Sequence, residues 1–220
     1  MLEREVQSKK RYVWAFVIGT ILFFLIIALS YFFTFVRFQS ITDLQTTSAY
    51  SLFEKKVDYT FFNENICSAE NFRSLTESLA YQGRTLENLE SKFGKDDVGV
   101  LERKKFYTVL LLEHLDYVNS YNSRCSPKFD SILFFYSNEL NLDDSNDAGK
   151  VLDAAYSLDE NILIYSFDSD LNSTLVQKLK DKFNVINVPV VIINENKTLT
   201  WPFSVNDIEK YLDTTNNSSQ

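Results

Sequence analysis

Two cysteines, one histidine and a short run of aspartates are the side chains of this 220-residue chain that invite a chemical reading. Cys67 and Cys125 are far apart in sequence, and no C-x-x-C pattern occurs. Disulfide exchange needs an attacking thiolate with a second sulfur close enough to resolve it, so a catalytic dithiol is not expected. His114 lies among Leu111, Leu112 and Leu115 with no second histidine or cysteine near it. A metal site needs three or four such donors, so His114 reads as a helix-surface residue. Asp143, Asp144, Ser145 and Asp147 invite a calcium reading. A calcium loop needs glycine at its sixth position and glutamate at its twelfth. Counted from Asp143, those positions hold Ala148 and Ala154. The segment therefore reads as a solvated acidic loop in which Asp147 caps a helix. No phosphate-binding glycine loop is present. These residues point to no catalytic group, no cofactor and no metal.

The elements around the cysteines predict how they pair. Phe72, Leu75, Leu79, Gln82, Leu86, Leu89 and Phe93 recur at helical spacing, giving a helix over 67–93 that starts near Ser68 and breaks at Gly94. A second helix spans 98–119, with Leu101, Thr108, Val109, Leu112, Leu115 and Val118 on its apolar side. Helices joined by about four residues fold back as an antiparallel hairpin, here over residues 67–125. Cys67 opens the first helix and Cys125 follows the second, so a Cys67–Cys125 disulfide would close the open end of the hairpin. A loop of that size stabilises by roughly 4 kcal/mol in the chain-entropy model. Residues 38–66, with Tyr50, Phe53, Val57, Phe61 and Phe62 at near-helical spacing, predict a short juxtamembrane helix packed on the following domain.

From residue 131 the pattern changes. Short apolar runs at 131–137, 161–167, 188–194 and 198–203 read as strands, the last ended near Pro202. Helical segments fall at 147–157, 171–183 and 204–212, and 213–220 reads as a disordered polar tail. The order is β-α-β-α-β-β-α, an α/β pattern in which helices between strands imply parallel crossovers and the final pair an antiparallel hairpin.

That order and its local text resemble the thioredoxin-like family over residues 129–212. Phe134-Phe135-Tyr136-Ser137 is similar to the family's first core strand. Val188-Pro189-Val190-Val191-Ile192-Ile193 is similar to its third strand, entered through a proline. The resemblance implies a cis Val188–Pro189 bond facing the redox motif, and a groove there that receives an extended peptide by edge pairing. It also places the family's C-x-x-C at Leu142-Asp143-Asp144-Ser145, where this chain has no sulfur. A serine hydroxyl with no base beside it does not replace a thiolate. The whole layout resembles membrane-anchored thioredoxin-like proteins of archaeal type that have lost the motif.

The anchor is legible in composition. Residues 12–36 contain no charge and no proline. About 20 helical residues cross a bilayer core, so this run predicts a transmembrane helix in contact with lipid. Arg4, Lys9, Lys10 and Arg11 precede it and only Arg37 follows closely, so residues 1–11 are expected in the cytoplasm and the rest outside. Residues 38–220 carry 17 Lys and Arg against 28 Asp and Glu, a net charge of −11 that repels nucleic acid. Of the N-x-S/T sequons at Asn172, Asn196, Asn216 and Asn217, the first two are expected on exposed loops, open to glycosylation. The reading is a single-pass membrane protein with a redox-inactive scaffold or binding domain for a protein or peptide partner. The helical hairpin offers a surface for self-association or partner docking. The alternative is a thiol-disulfide oxidoreductase or isomerase using Cys67 and Cys125.

Overall fold

The computed structural model describes residues 9–61, 66–159 and 161–212. Helix α1 spans Lys9–Phe61. Within it, Arg11–Val36 is long and apolar enough to cross a membrane. Two of its hydroxyls are satisfied inside the helix, where Thr20 Oγ1 donates to Phe16 O at 2.9 Å and Thr34 Oγ1 to Ser30 O at 3.0 Å. Such internal bonds remove the cost of bare hydroxyls in hydrocarbon. Residues 38–66 do not form a separate short helix, because α1 continues without a break to Phe61. No proline or glycine between 38 and 61 interrupts it. Tyr50 and Phe53 face solvent. The face that packs carries Ala49 and Lys56, the latter reaching Glu113 at 3.1 Å and Asp116 at 2.9 Å. The side chains of Val57, Phe61 and Phe62, and residues 1–8 and 213–220, lie outside the described part.

The chain divides into two units at residues 43 and 44, and the second contains everything that follows. Helices α2 (Ala69–Phe93) and α3 (Val98–Arg124) are the expected hairpin. Ser68 caps α2 by accepting from Asn71 N, and Asp97 caps α3 by accepting from Val100 N. Between them Gly94 takes φ +93°, a conformation other residues resist. Phe72, Leu75, Leu79, Leu86 and Leu89 are buried on α2. Each such burial is worth about 1.5–3 kcal/mol. Gln82 sits in the same stripe, buried, with neither amide atom hydrogen-bonded among the described residues.

The rest is a four-stranded sheet with helices on both faces. Strand β1 (Asp130–Tyr136) leads to α4 (Leu142–Leu158), then β2 (Ile162–Asp168), α5 (Thr174–Lys182), β3 (Val190–Ile193), β4 (Lys197–Thr200) and α6 (Val205–Glu209). The sheet order is β2-β1-β3-β4. β1 and β2 run parallel, whereas β3 is antiparallel to β1 and pairs Val190 with Phe135. The expected parallel crossover into the third strand is therefore corrected. The physical reason lies after α5, where Asn184 adopts φ +52° and Val185 N donates to Lys180 O. This left-handed cap turns the chain, which returns to the sheet end where β2 finished. Alternation along the strands sorts side chains by face. Leu133, Phe135, Tyr165 and Phe167 pack with the hairpin, and Ile132, Phe134 and Ile162 pack with α4 and α6.

Helix α4 starts at Leu142, five residues before the expected start, so Asp147 lies inside it and is not its cap. Asn141, at φ 56°, is the N-cap, and Asp143 and Asp144 fall in the first turn, where the helix dipole favours carboxylates.

Candidate functional site

The turn from β1 into α4 is built by one carboxylate. Asp170 Oδ2 accepts from Asn138 N at 2.7 Å, Glu139 N at 3.1 Å and Ser137 Oγ at 2.8 Å. Ser137 Oγ in turn accepts from Leu140 N. These bonds fix a loop whose next residues point outward, with Leu140 68% exposed and Leu142 partly so. Asn141 Nδ2 donates to Val188 O at 3.3 Å, which ties this loop to the one entering β3. On that second loop Ile186 is 79% exposed. Leu140, Leu142 and Ile186 thus put solvent-exposed apolar surface on two loops joined by a hydrogen bond. Asp143 and Asp144 border them, and Asp144 Oδ1 accepts from Trp201 Nε1. The Val188–Pro189 bond is cis, as are Ser126–Pro127 and Trp201–Pro202.

Leu142, Asp143, Asp144 and Ser145 occupy the first turn of a helix that directly follows β1. Ser145 is buried, and its Oγ accepts from Ser137 N at 3.2 Å, a structural bond. The cysteines lie elsewhere. Cys67 and Cys125 form a disulfide with Cα atoms 5.4 Å apart. Cys125 caps α3, five residues before β1 begins, whereas Pro189 lies where β1 ends. A seven-residue strand, roughly 20 Å of chain, separates the two ends of the sheet. Phe72, Tyr121 and Phe129 stack beside the disulfide, with ring centroids of Phe72 and Phe129 4.2 Å apart. The structure does not bring either sulfur to the loops around Pro189.

Two buried polar groups escaped sequence reasoning. Lys104 is buried on α3 between Glu90 Oε1 at 2.7 Å and Asp168 Oδ2. Burial works against its ammonium, but Tyr136, Asp168 and Glu90 outweigh that and hold its pKa above the ordinary lysine value. Asn138 Nδ2 also donates to Asp168 Oδ2, which links this trio to the β1–α4 turn. The signal was present in the run Val100, Lys104, Thr108, Leu111, Leu115 and Val118, a 3-4 stripe with one lysine in it. His114 corrects the expected helix-surface histidine. It is 1% exposed, with Nε2 at 3.1 Å from Thr76 Oγ1 and Nδ1 at 2.9 Å from Tyr165 Oη. Burial pushes its pKa down to about 4. Among the described residues no cluster of His, Cys, Asp or Glu is arranged to hold a metal. Asn172 and Asn196 are both exposed, on the loop before α5 and the turn before β4.

No family model matches this chain. No curated protein matches it either. A solved structure described as that of a malarial protein is 22% identical over 39% of this chain and 99% of its own length, with a TM-score of 0.32. At that level of similarity the neighbour carries no argument about function.

Proposed function

We propose that this chain is a membrane-anchored, extracytoplasmic protein of thioredoxin-like architecture that binds extended protein segments and performs no redox chemistry. One observation carries the reading. The loops at 140–142 and 186–189 expose Leu140, Leu142 and Ile186 together, and the helix turn beside them holds aspartates and serine in place of sulfur. Exposed apolar side chains rimmed by carboxylates suit a segment that brings apolar and basic residues. The strand order and the Val188-Pro189 entry into β3 support the thioredoxin-like part. Arg4, Lys9, Lys10 and Arg11 before the apolar helix support the orientation.

The full chain in detergent tests both halves. Insulin reduction with dithiothreitol as electron source is expected to run no faster than the blank, for wild type and for Cys67→Ser/Cys125→Ser alike. Acceleration by wild type that the double variant abolishes would establish the oxidoreductase alternative and end the inert reading. For binding, Leu140→Asp and Ile186→Asp are expected to weaken capture of extended basic-apolar peptides at least about tenfold, or roughly 1.4 kcal/mol. Unchanged capture by both variants would remove the site.

A further inference from the structure

The loop that presents Leu140 is held from the helical hairpin as well as from the sheet. Asn138 stands two residues before Leu140, and three segments grip it. Its backbone N donates to Asp170 Oδ2 at 2.7 Å, on the loop after β2. Its side-chain Nδ2 donates to Asp168 Oδ2 at 2.8 Å, at the end of β2. Its Oδ1 accepts from Lys95 Nζ at 2.6 Å, and Lys95 belongs to the turn between α2 and α3. Asp168 is itself held by Lys104 of α3, which Glu90 of α2 holds at 2.7 Å. An amide meets a cation at one end and a carboxylate at the other in one orientation only. The closed end of the hairpin thus reaches the loop through an oriented side chain.

This contact differs from the rest of the hairpin's hold on the sheet. Further along, Leu110, Leu111 and Leu115 share one apolar core with Leu133, Phe135 and Phe167, and that burial docks the hairpin. At the loop end close packing gives way to a cavity of about 350 Å³. Lys95, Val98 and Leu101 wall one side of it, and Asn138, Asp170 and Leu171 the other. Lys95 is exposed, and a charged hydrogen bond made in water adds little to stability. Docking therefore does not depend on Lys95, whereas the placement of Asn138 does.

We infer that Asn138 is a positioning residue for the segment-binding loops, and that the closed end of the α2–α3 hairpin, through Lys95, sets the affinity of that site. The inference rests on the binding reading above and adds what regulates it. Asn138 acts through its neighbours and not by touching the segment. It fixes the chain that leads to Leu140 and to Asn141, whose Nδ2 joins the loop at 186–189 through Val188 O. Without the Lys95 bond, Asn138 Oδ1 is released, the turn relaxes, and Leu140 and Ile186 no longer present one surface. Charge alone predicts the reverse. The segment is basic and the loop carries Glu139, Asp143 and Asp144, so removing a nearby lysine would tighten binding. Positioning and electrostatics have opposite signs at Lys95.

The test measures binding of an acetylated peptide of alternating lysine and leucine to the detergent-solubilised full chain. Ile186→Asp is the reference for peptide held by the micelle and not by the loops. Lys95→Met is expected to weaken binding at least about threefold with an unchanged melting temperature. Asn138→Leu, which loses both side-chain bonds, is expected to weaken it at least about tenfold. Lys95→Arg keeps the charged donor and should bind within about twofold of wild type. Lys105→Met removes a charge from the same cavity, where Lys105 pairs with Glu102, and should not weaken binding. Asp170 and Ser137 hold the amides of Glu139 and Leu140. Exchange at those amides should quicken in Lys95→Met without peptide, while exchange at Tyr165 stays as it was. Lys95→Met that binds as tightly as wild type, or more tightly, overturns the inference and leaves the binding reading standing. Equal weakening by Lys105→Met does the same. So does a weakening that only follows a fall in melting temperature and that Lys95→Arg does not restore. Wild type that binds no better than Ile186→Asp removes the binding reading, and the inference falls with it.

Discussion

An ammonium held between two buried carboxylates is costly to remove, because the carboxylates remain. Lys104 is in that position, and Asp168 is further bound by Asn138. Lys104→Met keeps most of the volume and strands Glu90 and Asp168 together. Such a change is expected to cost about 3–5 kcal/mol in urea unfolding, and adding Glu90→Gln and Asp168→Asn should recover most of it. Lys150→Met, which breaks an exposed and solvent-screened pair with Asp147, should leave the unfolding midpoint nearly unchanged. Equal losses for Lys104 and Lys150 would contradict the buried network. His114 makes the second prediction at this scale. Its folded pKa of about 4 lies below the ordinary 6.5, so the unfolded chain binds a proton first as pH falls. Its contribution is full above pH 6.5 and is lost as pH drops from 6.5 towards 4, by about 3 kcal/mol in all. The difference in unfolding free energy between wild type and His114→Gln should therefore shrink by that amount over the same range. A pH-independent difference would mean the imidazole titrates freely.

Elements show which parts of this molecule a linear reading can reach. Helices α2 and α3 were legible because a 3-4 apolar stripe, a serine cap and Gly94 all agree. The hairpin then fixed the Cys67–Cys125 pairing. Strands β1, β2 and β3 were legible because both faces of the sheet are covered there, so each reads as an apolar run, whereas the mostly exposed β4 was legible only as the second arm of the final hairpin. Two features were not. The start of α4 was hidden because Asp143 and Asp144 look like loop residues until their place beside the helix N-terminus is known. The direction of β3 depends on a left-handed Asn184, which sequence does not announce. Gln82 was visible as the polar break in the α2 stripe, and its environment now gives an element-scale prediction. A buried amide with no partner loses its water bonds without replacement. Gln82→Leu completes the stripe and should raise stability by about 1–3 kcal/mol. A loss of stability, measured by denaturant midpoint at constant m-value, would mean the amide has a partner in solution.

At the scale of the whole molecule the open quantity is which side of a membrane the folded unit occupies. The apolar length of Arg11–Val36 permits crossing but does not orient it. Orientation rests on the positive charges flanking residues 12–36, four before them and Arg37 after them. Basic residues resist translocation, so the proposal keeps the heavier flank in the cytoplasm and carries residues 38–220 across. The acidic character of that portion does not oppose this, because carboxylates contribute little to the rule. Two exposed sequons then become reporters of side. Asn172 and Asn196 stand on loops open to an oligosaccharyl transferase in a lumen and closed to it in cytosol. Translation into microsomes is expected to give a product whose mass falls on endoglycosidase treatment, with Asn172→Gln and Asn196→Gln each removing one glycan. The same folded unit should be shielded from added protease. Neutralising Arg4, Lys9, Lys10 and Arg11 while placing lysines after residue 37 should invert both readouts. Wild type that is unglycosylated and protease-sensitive would place the folded unit in the cytosol, where a Cys67–Cys125 disulfide has no oxidising compartment to maintain it.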